Sequence, residues 1–105
     1  MFFEADNAYL SEEARKTLDF ATNMATACGY GRTSVIGHTD TAEETSLAQK
    51  RVNVVSAYLA AHGIPNDDIV GTALGATRPR VPTGPDVSER QNRRVEIYLW
   101  GFNTQ

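Results

Sequence analysis

Thr33-Ser34-Val35-Ile36-Gly37-His38-Thr39-Asp40 leads through the polar run Thr41-Ala42-Glu43-Glu44-Thr45-Ser46 into Leu47-Ala48-Gln49-Lys50-Arg51-Val52. Thr33 to Gly37 is brief and rich in β-branched residues, which suits a pleated strand. Its core, Ser34-Val35-Ile36, does not alternate cleanly, so this strand is expected to be central and covered. From Leu47 the period changes. Leu47, Ala48, Val52, Val55 and Leu59 recur at helical spacing and mark one buried face. Thr41 with Glu44 has the form of a capping box, and Thr45 or Ser46 would cap equally well. Gly63 and Pro65 end the helix after about His62.

The flanks supply the remaining elements. Met1 to Ala5 is a short apolar segment, a candidate strand, broken by Asp6-Asn7. Ser11 can cap a first helix, with Glu12 and Glu13 in the turn where the helix dipole favours acids. Ala14, Leu18, Ala21, Ala25 and Cys28 form its apolar stripe, and Gly29 and Gly31 stop it. Ile69 to Leu74 reads as a strand. Gly75 to Asn92 is a long connection containing Pro79, Pro82 and Pro85, a length that is usually functional or mobile. Arg94 to Trp100 is the clearest strand, with Val95, Ile97 and Leu99 alternating with Glu96, Tyr98 and Trp100. The order β-α-β-α-β-β predicts an α+β fold: a two-layer sandwich with two helices packed on one face of a mixed four-stranded sheet.

A chain of 105 residues suits a single domain, here residues 1–105. Ten basic and 13 acidic residues give a net charge of −3, which provides no general drive toward nucleic acid. Arg78, Arg80, Arg90, Arg93 and Arg94 cluster near the C-terminus, either as a solvated loop or as an anion-attracting rim. No apolar run approaches the roughly 20 residues of a membrane-spanning helix. No signal-peptide pattern opens the chain, and a strand at residue 1 suggests a domain excised from a longer protein. Cys28 is the only cysteine, which rules out an internal disulfide, and its place on the apolar stripe predicts a buried, inert thiol.

Catalytic patterns are absent. No Gly-x-Ser-x-Gly or Cys-His arrangement pairs a nucleophile with a base. Gly71-Thr72-Ala73-Leu74-Gly75 lacks the lysine of a phosphate-binding loop. His38 and Asp40 share a strand end, but zinc wants three or four ligands and His62 lies at the far end of the second helix. His38 is therefore expected to be a satisfied histidine. The chain reads as a binding module with no metal and no cofactor.

Eleven residues separate Asp40 from Arg51. A strand end, a turn and two helical turns would bring them to one edge of the domain, both partly exposed. Opposite charges so placed can grip a ligand that carries an ammonium and a carboxylate together, and they can pair with each other in its absence. Taken singly, Asp40 is an ordinary turn residue and Arg51 a solvated helix residue beside Glu44. Asn92-Arg93-Arg94-Val95-Glu96-Ile97 adds positive charge at the start of the last strand. Arg93 is ranked as facing the ligand and Arg94 as structural.

Gly37-His38-Thr39-Asp40, Leu47-Ala48-Gln49-Lys50-Arg51 and Asn92-Arg93-Arg94-Val95-Glu96-Ile97, in that order, resemble the OmpA-like peptidoglycan-binding domain. Such domains form the C-terminal part of outer-membrane porins, of the peptidoglycan-associated lipoprotein and of flagellar stator proteins. Phe2-Phe3-Glu4-Ala5-Asp6 also resembles the family's first strand, so the likeness covers essentially the whole chain. The resemblance implies noncovalent binding of peptidoglycan through the diaminopimelate of the stem peptide, without catalysis. It implies a periplasmic domain tethered to the outer membrane or envelope by the rest of its protein. It also implies that Asp40 takes the ligand's ammonium and Arg51 its carboxylate. Thr39 and Asp6 would line the same site, Arg93 would be a further contact, and Asn92 would lie beside it. The chain departs from the family between Asp40 and Arg51, where a glycine and a Tyr-Asn pair are usual. Thr41 to Ser46 is shorter, has neither, and brings Glu43 and Glu44 close to the expected mouth. The alternative reading is a ligand-free protein-interaction scaffold on the same fold.

Overall fold

A computed structural model describes residues 1–102. The elements are α1 (Glu12–Cys28), β1 (Tyr30–His38), α2 (Leu47–Ala61), β2 (Ile69–Gly75) and β3 (Val95–Phe102), with 3-10 turns at Asn66–Asp68 and Arg90–Asn92. The sheet order is β2-β1-β3. β1 is central, parallel to β2 with Val35 beside Gly71, and antiparallel to β3 with Val35 beside Ile97. The expected α+β class and mixed sheet are present, but among the described residues the sheet has three strands rather than four.

The missing strand is the N-terminal one. Met1 to Ala5 makes a single antiparallel bridge, Phe2 to Arg94. Among the described residues its backbone–backbone bonds join it to Arg93 and Val95 (Phe3 N to Arg93 O 2.8 Å, Val95 N to Met1 O 2.9 Å). Beyond Phe3 the chain turns off the sheet edge. Asp6 sits in the left-handed region at φ 58°, a conformation that Asp tolerates better than most side chains, and the carbonyls of Glu4 and Asn7 are directed to Arg51.

Both helices pack on the sheet face that carries Thr33, Val35 and Gly37. Phe3, Leu18, Ala25, Val35, Val52, Val55, Leu59, Ile64 and Val95 form the core. α1 starts where Ser11 Oγ accepts from Ala14 N at 3.1 Å and stops at left-handed Gly29. α2 lies very close to β1. A Cβ on Gly37 would stand 2.5 Å from Ala48 O and 2.6 Å from Val52 Cγ2. Among the described residues the opposite sheet face carries no helix; Tyr98 and Trp100 are half exposed there, and Trp100 Nε1 donates to Ser34 Oγ at 2.7 Å.

The buried face of α1 differs from the expected stripe: it includes Thr22, which was not part of that stripe, and leaves out Cys28, while Ala21 is only half-buried. Thr22 is buried, its hydroxyl donating to Leu18 O at 2.8 Å. Cys28 is exposed, because the last residue of α1 lies past the point where the helix covers the sheet. Among the described residues no helix is long and apolar enough to cross a membrane.

Candidate ligand-binding site

Asp40 and Arg51 are buried, at 1% and 0% exposure, rather than partly exposed. They do not pair with each other; each has a different partner. Asp40 follows the end of β1 and faces the long connection before β3. Its Oδ2 accepts from Arg93 Nη1 at 3.0 Å and from Glu89 N at 3.1 Å, and its Oδ1 accepts from Ala42 N at 3.0 Å. Arg93 also donates to Ser88 Oγ at 2.9 Å and, through Nε, to Phe3 O at 3.0 Å.

Arg51 projects from the second turn of α2 toward the same strand end. It meets Glu43 with two parallel bonds, Nη1 to Oε1 at 2.8 Å and Nη2 to Oε2 at 2.5 Å. Nη1 also donates to His38 O, Nη2 to Glu4 O and Nε to Asn7 O. All five N–H donors of the guanidinium are thereby used. The ring of Phe3 lies beneath it, 5.0 Å from centroid to Cζ. Glu43 links the two centres, since its Oε1 also accepts from Asp40 N at 3.1 Å.

The other residues singled out from the sequence take different places. Asp6 enters through its backbone N–H, 2.8 Å from Glu43 Oε2, while the residue itself is exposed. Thr39 is buried, and its hydroxyl has no partner among the described residues. Asn92 clamps the long connection, accepting from Val81 N at 2.9 Å and donating to Val81 O at 2.8 Å. The connection is further tied by Thr41 Oγ1, which donates to Gly84 O at 2.8 Å and accepts from Val87 N at 2.9 Å. The structure thus gathers Asp40, Arg51, Arg93, Thr39 and the Asp6 backbone at one end of β1. Asn92 faces its own loop. Glu43, expected only as negative charge near the mouth, is the partner of Arg51 that the sequence pattern did not assign. Its place eight residues before Arg51, inside the shortened connection, was the available signal.

On the helix-free sheet face, His38 Nε2 lies 2.6 Å from Glu96 Oε1. A carboxylate only accepts, so Nε2 carries the proton. Burial holds the imidazole below its ordinary range, against the raising effect of that hydrogen bond. Burial also pushes Glu96 upward, but hydrogen bonds from His38 and Tyr98, with the Arg94 charge, more than offset this and leave it lowered.

The OmpA family profile matches residues 2–93. The chain belongs to the OmpA family. Among curated family relatives, an outer membrane protein of Gluconacetobacter diazotrophicus is 34% identical over 94% of this chain and 29% of its own length. A peptidoglycan-associated lipoprotein of Pseudomonas aeruginosa is 36% identical over 91% of this chain and 59% of its own length. The chain therefore spans less than two thirds of either relative. Among solved structures, the C-terminal domain of Helicobacter pylori MotB superposes with a TM-score of 0.81 at 20% identity, covering 99% of this chain and 83% of that one. The peptidoglycan-associated lipoprotein of Burkholderia pseudomallei gives 0.80 at 21% identity, covering 91% and 85%. At these identities the superpositions speak for the family fold.

Proposed function

We propose that this chain is the wall-facing domain of a bacterial envelope protein and holds peptidoglycan noncovalently, without catalysis. Family membership supports this reading, as do relatives whose names associate them with peptidoglycan. The carrying observation is local: acidic Asp40 and basic Arg51 and Arg93 converge, with backbone donors, at the end of β1. The ligand we assign is the diaminopimelate of the stem peptide, with its ammonium toward Asp40 and its carboxylate toward Arg51. Thr39 and Asp6 line the approach, Arg93 backs Asp40, and Asn92 supports the rim. The domain then works in the periplasm, tethered by the rest of its protein.

Cosedimentation with purified sacculi tests this. Sacculi carrying diaminopimelate should retain the domain and free meso-diaminopimelate should compete, while sacculi with lysine at that position should retain it far less. Equal retention on both wall types would remove the ligand assignment, and no retention on either would remove the anchor. Asp40→Asn and Arg51→Lys, each checked for folding, should weaken retention. Released wall fragments after incubation would instead indicate an enzyme.

The scaffold reading has one observation in its favour: both ion pairs are satisfied within the chain and buried. Titration with meso-diaminopimelate, followed by NMR, separates the two. Shifts around Asp40 and Arg51 support the anchor, and silence supports the scaffold.

A further inference from the structure

The carboxylate of Glu43 rests in a seat of four donors. Arg51 supplies two at 2.8 and 2.5 Å, the Asp40 backbone N–H a third at 3.1 Å and the Asp6 backbone N–H a fourth at 2.8 Å. A carboxylate has about four lone-pair directions, and each has a donor. The Glu43 and Arg51 side chains are 1% and 0% exposed. The donors come from the N-terminal turn, the end of β1 and α2. Only the occupant comes from the connection 41–46. That connection is held at its start, by Thr41 Oγ1 against Gly84 O and Val87 N and by Ala42 N on Asp40 Oδ1, but at its far end Ser46 makes no side-chain capping bond. The seat is thus assembled by the frame of the fold, and a neighbouring segment fills it.

We propose that Glu43 is a built-in occupant of a carboxylate-binding seat, and that it excludes a carboxylate offered from outside for as long as it is seated. Carrying this over to the wall ligand rests on the function proposed above; the seat itself does not. Without Glu43, Arg51 is a buried cation lacking a counter-ion, a state costly enough to recruit an anion from solution. A two-oxygen anion then recovers the paired guanidinium bonds. In the intact chain an outside carboxylate enters only by exchange with Glu43. Its apparent affinity is therefore reduced by the small fraction of molecules in which Glu43 has left.

The deciding experiment compares unfolding midpoints in sodium acetate and in sodium chloride at equal ionic strength. Glu43→Ala should gain on the order of 5 °C in about 100 mM acetate. If that variant is unfolded in chloride, acetate should refold it. The wild type, Glu43→Gln (which fills the seat without charge) and Glu43→Ala combined with Arg51→Met should not respond. No response of Glu43→Ala, or an equal response of all four, overturns the seat. Sacculus cosedimentation forms the second arm. Retention of Glu43→Ala at least about tenfold tighter than wild type supports exclusion, and equal retention of both overturns it. If neither is retained, the wall-binding function fails, while the acetate comparison still decides the seat.

Discussion

At the scale of single residues, the protein holds two buried ion pairs, Glu43–Arg51 and Asp40–Arg93, whose hydrogen bonds are nearly complete. Removing one member strands the other in a medium of low polarity, which typically costs about 3–5 kcal/mol, whereas replacing both with apolar groups is often neutral. Arg51→Ala is therefore expected to lose about 3–5 kcal/mol of stability in urea unfolding. Glu43→Leu together with Arg51→Met should recover most of that loss. A double variant as unstable as the single one would mean that the backbone bonds of Arg51 to residues 4, 7 and 38 matter more than the ion pair. The His38–Glu96 contact gives a pH dependence. His38 is lowered from 6.5, so the unfolded chain takes the proton first. Its contribution to stability is present above about pH 6.5 and declines as pH falls toward the folded value. Glu96, lowered from 4.5, adds a second decline below its unfolded value, as pH falls through the folded one. Thermal melts from pH 7.5 to 5 should show a falling midpoint, and His38→Phe should flatten the upper part of that curve.

At the scale of elements, α2 and β1 form the tightest joint, and the reason is Gly37. Its absent side chain lets Ala48 and Val52 approach the strand backbone. That approach sets the direction in which Arg51 leaves the helix, one turn beyond Ala48. Gly37→Ala must push the helix outward or strain it, and overpacking of this kind costs about 1–3 kcal/mol. The same shift should lengthen the Arg51 bonds to His38 O and Glu43. The check is hydrogen exchange, with faster exchange at the start of α2 and unchanged protection in α1. Both helices and the three paired strands were legible in the sequence because their periods are strong, whereas the short apolar run Met1 to Ala5, too brief to show a period, was misread as a fourth strand. All five apolar positions of the α2 stripe are buried, and Val95, Ile97 and Leu99 face the helices as their alternation implied. Where the sequence misled, a local bond or an end effect intervened. Thr22 is buried because its hydroxyl is satisfied on the preceding turn, and Cys28 is exposed because α1 ends there. The charged residues of the site were legible as a group, but their pairing was not. Periodicity reports which face a residue is on, not which of two nearby carboxylates reaches a guanidinium. The longer Glu43 reaches Arg51 from inside the connection, while Asp40, shorter and at the strand end, meets Arg93.

At the scale of the whole molecule, the N-terminal segment joins parts of the chain that are far apart in sequence. It contributes only one bridge to the sheet, so regular strand pairing does little to hold it. What fixes it is the pair of buried arginines. Arg51 binds the carbonyls of Glu4 and Asn7, and Arg93 binds that of Phe3. In return the segment places Phe3 in the core, at 3% exposure and under the Arg51 guanidinium. Deleting residues 1–7 would remove that side chain, worth about 3–5 kcal/mol by analogy with Phe→Ala substitutions. It would also take three acceptors from two buried cations, at about 1.5–3 kcal/mol for each hydrogen bond to a charged group. The sum reaches the whole stability of an ordinary domain, about 5–15 kcal/mol. The truncated chain is therefore expected to lose its cooperative fold, seen as collapse of amide dispersion in a proton–nitrogen NMR spectrum. Phe3→Leu, which keeps the backbone acceptors, should remain folded with a lowered midpoint. A well-dispersed spectrum from the truncated chain would show that the arginines find other acceptors, and that α1, α2 and the three strands suffice alone.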